Sequence, residues 1–163
     1  MKGAIAEAAI ASAAIELGVF VLRPLVEGRR YDLLFDVDHR LFRVQCKWAP
    51  RRRNVIAVHL NSCRLTPGGY VRSTYDATEI DVVAVYCQEL KRCYWLPIDK
   101  VAGRTGIHLR LAPAANNQEA AINYAADYEL PGAIAQLGER LRGTQEVAGS
   151  SPASSTSNVR PLR

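Results

Sequence analysis

The chain has 163 residues, of which 48% are hydrophobic and 23% are charged, and its formal net charge is +5. This length and composition are typical of one globular domain with a hydrophobic core. No apolar run approaches the roughly 18–20 residues that span a bilayer, and the alanine-rich start lacks the form of a signal peptide. We therefore expect a cytoplasmic protein with no membrane partner.

The four cysteines and three histidines do not form a recognisable metal or disulfide pattern. No two cysteines form a C-x-x-C pair, and the histidines do not complete a zinc spacing. We interpret the cysteines as small buried side chains in a reducing compartment.

The positive charge is concentrated in the first half of the chain. Residues 1–75 contain twelve Lys/Arg and six Asp/Glu, whereas residues 76–130 contain five and eight. A basic region of this kind is typical of a surface that faces a phosphate backbone, although a solvated basic face would have the same composition.

The hydrophobic pattern predicts an α/β (α+β) domain with a mixed sheet flanked by helices. A helix over residues 2–17 ends at Gly18. A loop is expected at 66–69, and a second helix at 116–128. The valine-rich run is expected to be a buried central strand, and the last strand an edge strand. The predicted strands cover residues 19–22, 31–37, 41–48, 55–60, 80–87, 93–98 and 107–111.

A hairpin brings together the residue types that phosphodiester hydrolysis requires. If Asp38 and His39 are its two central turn residues, Asp32 lies opposite Gln45, and Lys47 shares that face. A carboxylate can hold Mg²⁺, and a neighbouring lysine can orient water or stabilise charge on phosphorus. The simpler alternative is a structural cross-strand ion pair between Asp32 and Lys47.

The first helix carries one carboxylate on its apolar side. Helical projection places Glu7 among Ala4, Ala11 and Ala14, about 180° from Glu16. Burial of an unpartnered carboxylate is unfavourable, so Glu7 requires a cation or a metal, or lies at the edge of the face.

Five short motifs resemble the PD-(D/E)XK nuclease superfamily, and most of all its branch of bacterial group I intron-encoded homing endonucleases. The resemblance covers roughly residues 2–130 and implies a restriction-endonuclease-like core. The motifs are Lys2-Gly3 with Ala6-Glu7, Tyr31-Asp32-Leu33-Leu34, Arg43-Val44-Gln45-Cys46-Lys47, Glu79-Ile80-Asp81, and Tyr94-Trp95-Leu96-Pro97-Ile98.

The resemblance implies a role for each matching position. Asp32 corresponds to the metal-binding aspartate, Lys47 to the catalytic lysine, and Glu7 to the acidic residue on the first helix. The backbone carbonyl of Cys46 would complete the shell of Mg²⁺, or of Mn²⁺. Asp81 matches the motif and is equally compatible with a structural role.

Position 45 departs from the pattern that gives the family its name. Gln45 stands where that pattern has Asp or Glu, and the resembling branch has a Gln-x-Lys version. An amide oxygen binds Mg²⁺ without formal charge, and therefore more weakly. Gln45 thus fits the homing branch and also raises the alternative of a catalytically impaired DNA-binding protein of the same fold.

Arginines precede and follow the two site strands, where a phosphate backbone would lie, although solvated arginines at strand ends would look the same. Two more lie in the 61–78 region. The predicted DNA-binding residues are Arg29, Arg30, Arg51, Arg52, Arg53, Arg64 and Arg72.

Residues 131–163 differ in composition from the predicted 1–130 endonuclease domain, and we expect them to be a disordered tail. Residues 132–142 suggest a short helix without a core partner. Residues Ile134 to Leu141 are the translation of a tRNA D-arm sequence, ATA GCT CAG TTG GGA GAG CGC CTG. Residues Gly149 to Pro152 are in the same way the translation of a T-arm sequence. Our hypothesis is that the reading frame overlaps a tRNA gene.

Together these features predict a metal-dependent endonuclease that cuts double-stranded DNA as a homodimer or homotetramer, since a double-strand cut needs two active sites. A Holliday-junction resolvase, or a restriction-type nuclease, on the same fold is the alternative within enzymes. A general soluble α/β domain with chance motifs is the remaining interpretation.

Overall fold

A computed structural model describes residues 1–26, 28–66, 68–113 and 122–148 of the chain. A 3₁₀ helix spans Ala125–Tyr128. The other helices and strands are, in chain order, α1 (Lys2–Glu16), β1 (Phe20–Leu22), β2 (Leu33–Val37), β3 (Arg40–Trp48), β4 (Arg51–Arg52), β5 (Val55–His59), β6 (Ser62–Thr66), β7 (Gly69–Ser73), β8 (Val82–Cys87), β9 (Arg92–Pro97), α2 (Ile98–Val101), β10 (Gly106–Arg110) and α3 (Leu130–Ala148).

A five-stranded mixed sheet in the order β1-β2-β3-β8-β9 forms the centre of the fold. The β3–β8 pair is parallel, and the other neighbours are antiparallel. A three-stranded sheet, β10-β5-β4, packs beside it, and β6 with β7 forms a separate two-stranded ribbon. The predicted mixed sheet with flanking helices is therefore confirmed.

The strict alternation along β3 produces a two-sided core. Phe42, Val44 and Cys46 point into one hydrophobic cluster with α1 and α3. On the other side of the sheet, Val83 and Val85 of β8 join a second cluster with β5 and β10. All six residues of β8 are buried, as expected for an interior strand covered on both faces.

The β2–β3 turn has the conformation that a two-residue hairpin requires. Asp38 and His39 both have positive φ, at 48° and 64°, as in a type I′ turn. Val37 pairs with Arg40, and the ladder runs without interruption to Leu33 and Val44. The predicted register is therefore confirmed.

The predicted strands are present with small shifts at their ends, but several elements were missed. No sequence pattern predicted β4, α2 or the strands on either side of the 66–69 loop. The predicted 116–128 helix is wrong over residues 122–124, because Asn123 and Tyr124 pair in extended form with Arg110 of β10. Residues 116–121 lie outside the described residues.

Residues 131–148 belong to α3, so the helix suggested over residues 132–142 is present and longer, and the expected disorder is not found there. Leu130 and Ile134 are buried in the α1-side cluster, and Leu137 and Leu141 pack against it. These positions recur every three or four residues and form one apolar stripe, which supplies the core partner that the sequence did not reveal. Residues 149–163 lie outside the described residues.

Among the described residues, no helix is both long and apolar enough to cross a lipid bilayer.

We expect Ile134→Ala to lower the free energy of unfolding by about 2–5 kcal/mol, because it leaves a cavity between α3 and the sheet. Ile134 is only 8% exposed. Urea denaturation of the full chain would measure the change, with the exposed Glu139→Ala on the same helix as the matched control. Equal stability of both variants and the parent chain would contradict the docking of α3.

Candidate active site

The predicted site residues meet where β2 begins beside the second half of β3. The Asp32 amide donates to the Val44 carbonyl at 2.9 Å, which extends the hairpin by one residue. The Asp32 carboxylate accepts a hydrogen bond from the Cys46 amide at 2.7 Å and another from Gln45 Nε2. One carboxylate oxygen thus joins both strands.

Gln45 bridges two of the atoms that the sequence assigned to metal binding. Its Nε2 group donates to the Asp32 carboxylate and, at 3.2 Å, to the Cys46 carbonyl oxygen. An amide NH₂ between two oxygen acceptors occupies the kind of position that a cation takes, and rotation of the amide would present its oxygen instead.

Lys47 is half-buried and is held by Asn61 and Tyr75. Its Nζ donates to the Asn61 carbonyl at 3.2 Å and lies 5.2 Å from the centre of the Tyr75 ring. Within the described part of the chain, no ion pair joins Lys47 to Asp32. The interpretation of these residues as a cross-strand ion pair therefore finds no support in the geometry.

Burial shifts both charged groups toward their neutral forms. Desolvation raises the pKa of Asp32, and the nearby Glu7 carboxylate adds to this, while the Cys46 amide, Lys47 and Gln45 oppose it. Desolvation lowers the pKa of Lys47, with Arg30 adding to the effect and Asp32 opposing it. Burial thus disfavours the charged form of each group, and the attraction between Asp32 and Lys47 partly offsets this for both.

Glu7 lies close enough to Asp32 to act on it, but it has a partner of its own. Its carboxylate forms an ion pair with Arg23 at 2.9 Å, and its side chain remains 25% exposed. Glu7, Arg23 and Asp32 line an open cavity of about 280 Å³. This explains how a carboxylate is tolerated on α1 next to the core.

The donor set suits a hard divalent cation. Asp32, Glu7, the Cys46 carbonyl and the Gln45 amide would all offer oxygen, which is the ligand type that Mg²⁺ prefers. In the described residues, no three His, Cys, Asp or Glu side chains cluster as a metal site. The charge on any ion would therefore be balanced by two carboxylates and not three.

The basic residues divide into exposed and internal groups. Arg29 is exposed and lines both the Glu7 cavity and an adjoining cavity of about 270 Å³ that reaches Gln45. Arg30 is turned inward, where it contacts Ser62, the Thr74 carbonyl at 2.8 Å, and Glu79 at 3.1 Å. Of the other predicted DNA-binding residues, Arg51, Arg52 and Arg53 of the β4–β5 hairpin and Arg72 of β7 are exposed. The side chain of Arg64 lies outside the described residues.

Sequence analysis did not predict the contacts that Tyr75 makes with the site residues. Tyr75 is 2% exposed, and it packs under both Arg30 and Lys47. Burial raises the pKa of Tyr75 to about 12, so its hydroxyl stays protonated. No local pattern indicates these partners, because Tyr75 lies 45 residues from Arg30 and 28 from Lys47 along the chain.

Comparison with known proteins decides the family. The family model for PD-(D/E)XK endonucleases matches residues 1–131. The chain belongs to the PD-(D/E)XK endonuclease family. The fold is also similar to a solved structure of a bacterial homing endonuclease, I-Ssp6803I, with a TM-score of 0.67 and 26% identity over 88% of this chain and 95% of that one. No curated protein matches the chain.

Family membership confirms the resemblance and the fold class, and it supports a nuclease that acts on DNA. In this PD-(D/E)XK chain, Asp81 has a clear structural role. Its carboxylate accepts bonds from the Arg43 amide at 2.8 Å and from the Arg43 guanidinium at 2.9 Å. These bonds lower the pKa of Asp81 and tie the start of β8 to β3. These hydrogen bonds explain why Asp81 is present in the motif without assigning it a role in catalysis.

We expect Asp32→Asn to raise the melting temperature of the metal-free endonuclease at pH 7–8. The folded protein holds a proton on Asp32 at higher pH than the unfolded chain does, since the folded-state pKa is raised. The contribution of this group to stability is therefore present at low pH and lost as the pH rises through that pKa. Calorimetry in EDTA would show a gain that disappears below about pH 4, the ordinary range for Asp.

Asp36→Asn, on the same strand but away from the site, is the control and should change stability by no more than about 0.5 kcal/mol. Added Mg²⁺ should stabilise the parent protein and not the Asp32 variant. A lower melting temperature for Asp32→Asn in EDTA would show that its hydrogen bonds outweigh the burial of its charge.

Proposed function

We propose that this chain is a divalent-metal-dependent DNA endonuclease of the homing type, which makes a double-strand cut at a long target. The observation that carries the proposal is the convergence of Asp32, Gln45 and Lys47 beside Glu7, in an open region lined by Arg29. The similarity to a bacterial homing endonuclease over most of both chains supports the homing type.

The proposed metal is Mg²⁺, with Mn²⁺ as a possible substitute. Asp32, the Cys46 carbonyl, the Gln45 amide oxygen and Glu7 would hold it, which matches their shared oxygen chemistry. When bound, such an ion polarises a phosphate and lowers the pKa of water. Release of the Gln45 NH₂ group from Asp32 would accompany binding.

Lys47 is proposed to stabilise the negative charge that develops on the reacting phosphate. Its ammonium is fixed by the Asn61 carbonyl and the Tyr75 ring, so little reorganisation is needed when a phosphate arrives. Its partial burial strengthens its interaction with developing negative charge. The same burial lowers the pKa of Lys47, so an arriving phosphate also favours its charged form.

The exposed arginines are proposed to position DNA by contacts with phosphates. Arg29 lines the site cavities, and Arg51 to Arg53 lie on a hairpin that begins four residues beyond Lys47. Arginine contacts with a phosphate backbone release counterions, so binding should weaken steeply as salt rises.

A double-strand cut requires two active sites, and we propose a homodimer or homotetramer. The edge strand β1 supports this, because its Phe20 is 77% exposed and Leu22 is 46% exposed. Leu25 and Val26 follow directly and are also exposed. An apolar sheet edge of this kind is suited to association with a second copy.

A binding-only protein of the same fold is the second candidate, and Gln45 is the observation that favours it. The amide adds no charge to the site, so metal affinity depends on Asp32 and on a Glu7 that is already paired with Arg23. Junction-resolvase or restriction-type activity would be recognised by a preference for branched or short palindromic substrates.

The tRNA-like text of the tail also suggests where a target should be sought. We propose that the reading frame runs through a tRNA gene, and the coding DNA tests this directly, since it must fold into a cloverleaf. Intronless tRNA genes therefore belong among the substrates tested.

We expect the full chain to cut supercoiled plasmid or genomic fragments, including intronless tRNA genes, in Mg²⁺ or Mn²⁺ but not in EDTA. Lys47→Ala and Asp32→Ala should each reduce cleavage by at least about 100-fold, because each removes charge from the reacting centre. The matched control is Lys100→Ala, an exposed lysine on α2.

Equal cleavage by the Lys47, Asp32 and Lys100 variants would place the chemistry elsewhere. Salt-sensitive DNA binding without cleavage in either metal would favour the binding-only protein.

Gln45→Glu is expected to lower the Mg²⁺ concentration for half-maximal cleavage by roughly tenfold, because it adds a charged ligand. The same change should destabilise the metal-free protein, since it replaces a donor to Asp32 by a second negative charge. Metal titrations of cleavage and of melting temperature would measure both effects, with the exposed Gln136→Glu as control. An unchanged metal requirement would exclude Gln45 from the metal site.

A further inference from the structure

The ribbon β6–β7 is a two-stranded sheet that pairs with neither of the other sheets. It runs from the Ser62–Ser73 pair at its base to the Thr66–Gly69 pair at its far end. Such a ribbon has no core of its own to cover, so its exposed side chains are available for contact with another molecule.

The second strand of the ribbon exposes apolar side chains next to a cation. Tyr70 is 76% exposed and Val71 is 52% exposed, although both are large hydrophobic residues. Arg72 is exposed, and it pairs across the ribbon with the exposed Cys63. By the two-residue period of a strand, Tyr70 and Arg72 share one face and Val71 lies on the other.

The base of the ribbon is fixed to the active site. Arg30 donates to the Ser62 hydroxyl and to the Thr74 carbonyl at 2.8 Å, and so links the two strands at the base of the ribbon. Asn61, immediately before β6, accepts the hydrogen bond from Lys47. Arg30 and Lys47 also pack on the same Tyr75 ring. The position of the ribbon and that of Lys47 are therefore coupled.

We infer that the β6–β7 ribbon enters the major groove of double-stranded DNA and reads its sequence beside the cut. The inference rests on the proposed function and adds the recognition element to it. A two-stranded ribbon fits the major groove, where arginine recognises the edge of guanine and apolar side chains contact the methyl group of thymine. Arg72 supplies the first contact, and Tyr70, on the same face of the ribbon, supplies the second.

Charge and placement favour DNA over another protein chain as the occupant. Residues 1–75, which include the ribbon, have twelve Lys/Arg against six Asp/Glu. The exposed Arg29 lines the cavity that also contains Ser62 at the ribbon base. A phosphate backbone drawn to Arg29 would therefore lie beside the ribbon. Arg30, held internally, acts as a positioning residue for the ribbon.

The test is a binding selection in EDTA, which does not depend on cleavage. The full chain is mixed with 40-bp duplexes that carry a randomised centre, bound duplexes are recovered and sequenced, and affinity for poly(dI·dC) is measured in parallel. Arg72→Lys is the decisive variant, because lysine keeps the charge and loses the two-pronged donor geometry. Tyr70→Ala tests the apolar contact.

We expect Arg72→Lys to lose preference at one or two base pairs by roughly 5- to 150-fold while its affinity for poly(dI·dC) stays unchanged. Tyr70→Ala should lose a preference for thymine. Arg52→Ala should instead weaken binding to all duplexes alike. Unchanged preferences in both ribbon variants, or a parent chain without any preference, would overturn the inference and leave the nuclease proposal standing.

The molecular mass of each variant in solution tests whether the ribbon is instead an interface between subunits. Loss of oligomers in Tyr70→Ala, with base preferences retained, would make the ribbon a subunit interface and overturn DNA reading. A parent chain that selects a sequence through the ribbon but never cuts DNA would support the inference and refute the nuclease.

Discussion

The register of the β2–β3 hairpin is the constraint on which the rest of the site depends. Asp38 and His39 both adopt left-handed backbone conformations, and this two-residue turn fixes which residues face each other along the ladder. A slip of one residue would turn Asp32 away from Gln45 and move Phe35 out of the core. The turn also contacts α3, where the Arg142 guanidinium lies 4.0 Å from the Asp38 carboxylate.

The site shows how burial and chemistry oppose each other in one small region. Asp32 and Lys47 are brought together where desolvation disfavours the charged form of each. Hydrogen bonds from the Cys46 amide and from Gln45 compensate in part. The surrounding fold, with eight strands in its two main sheets, supplies the stability that a poorly solvated site lacks.

Local patterns in the sequence were sufficient for the hairpin, the first helix and the pairing of Asp32 with Gln45, because turn type and strand period act over a few residues. They were insufficient for Tyr75, Arg30 and α3. The partners of Tyr75 and Arg30 are distant in the chain, and Ile134 is recognisable as core only once the sheet that it covers is known. The inward turn of Arg30 shows that a basic cluster in sequence can divide into surface and interior groups.

The neutral side chain at position 45 limits the negative charge that folding brings together. With a carboxylate there, three like charges would meet at the start of β2, and their repulsion would oppose folding. The Gln45 amide instead closes the site with its own hydrogen bonds to Asp32 and Cys46. Folding of the hairpin therefore brings no third negative charge beside Asp32 and Glu7.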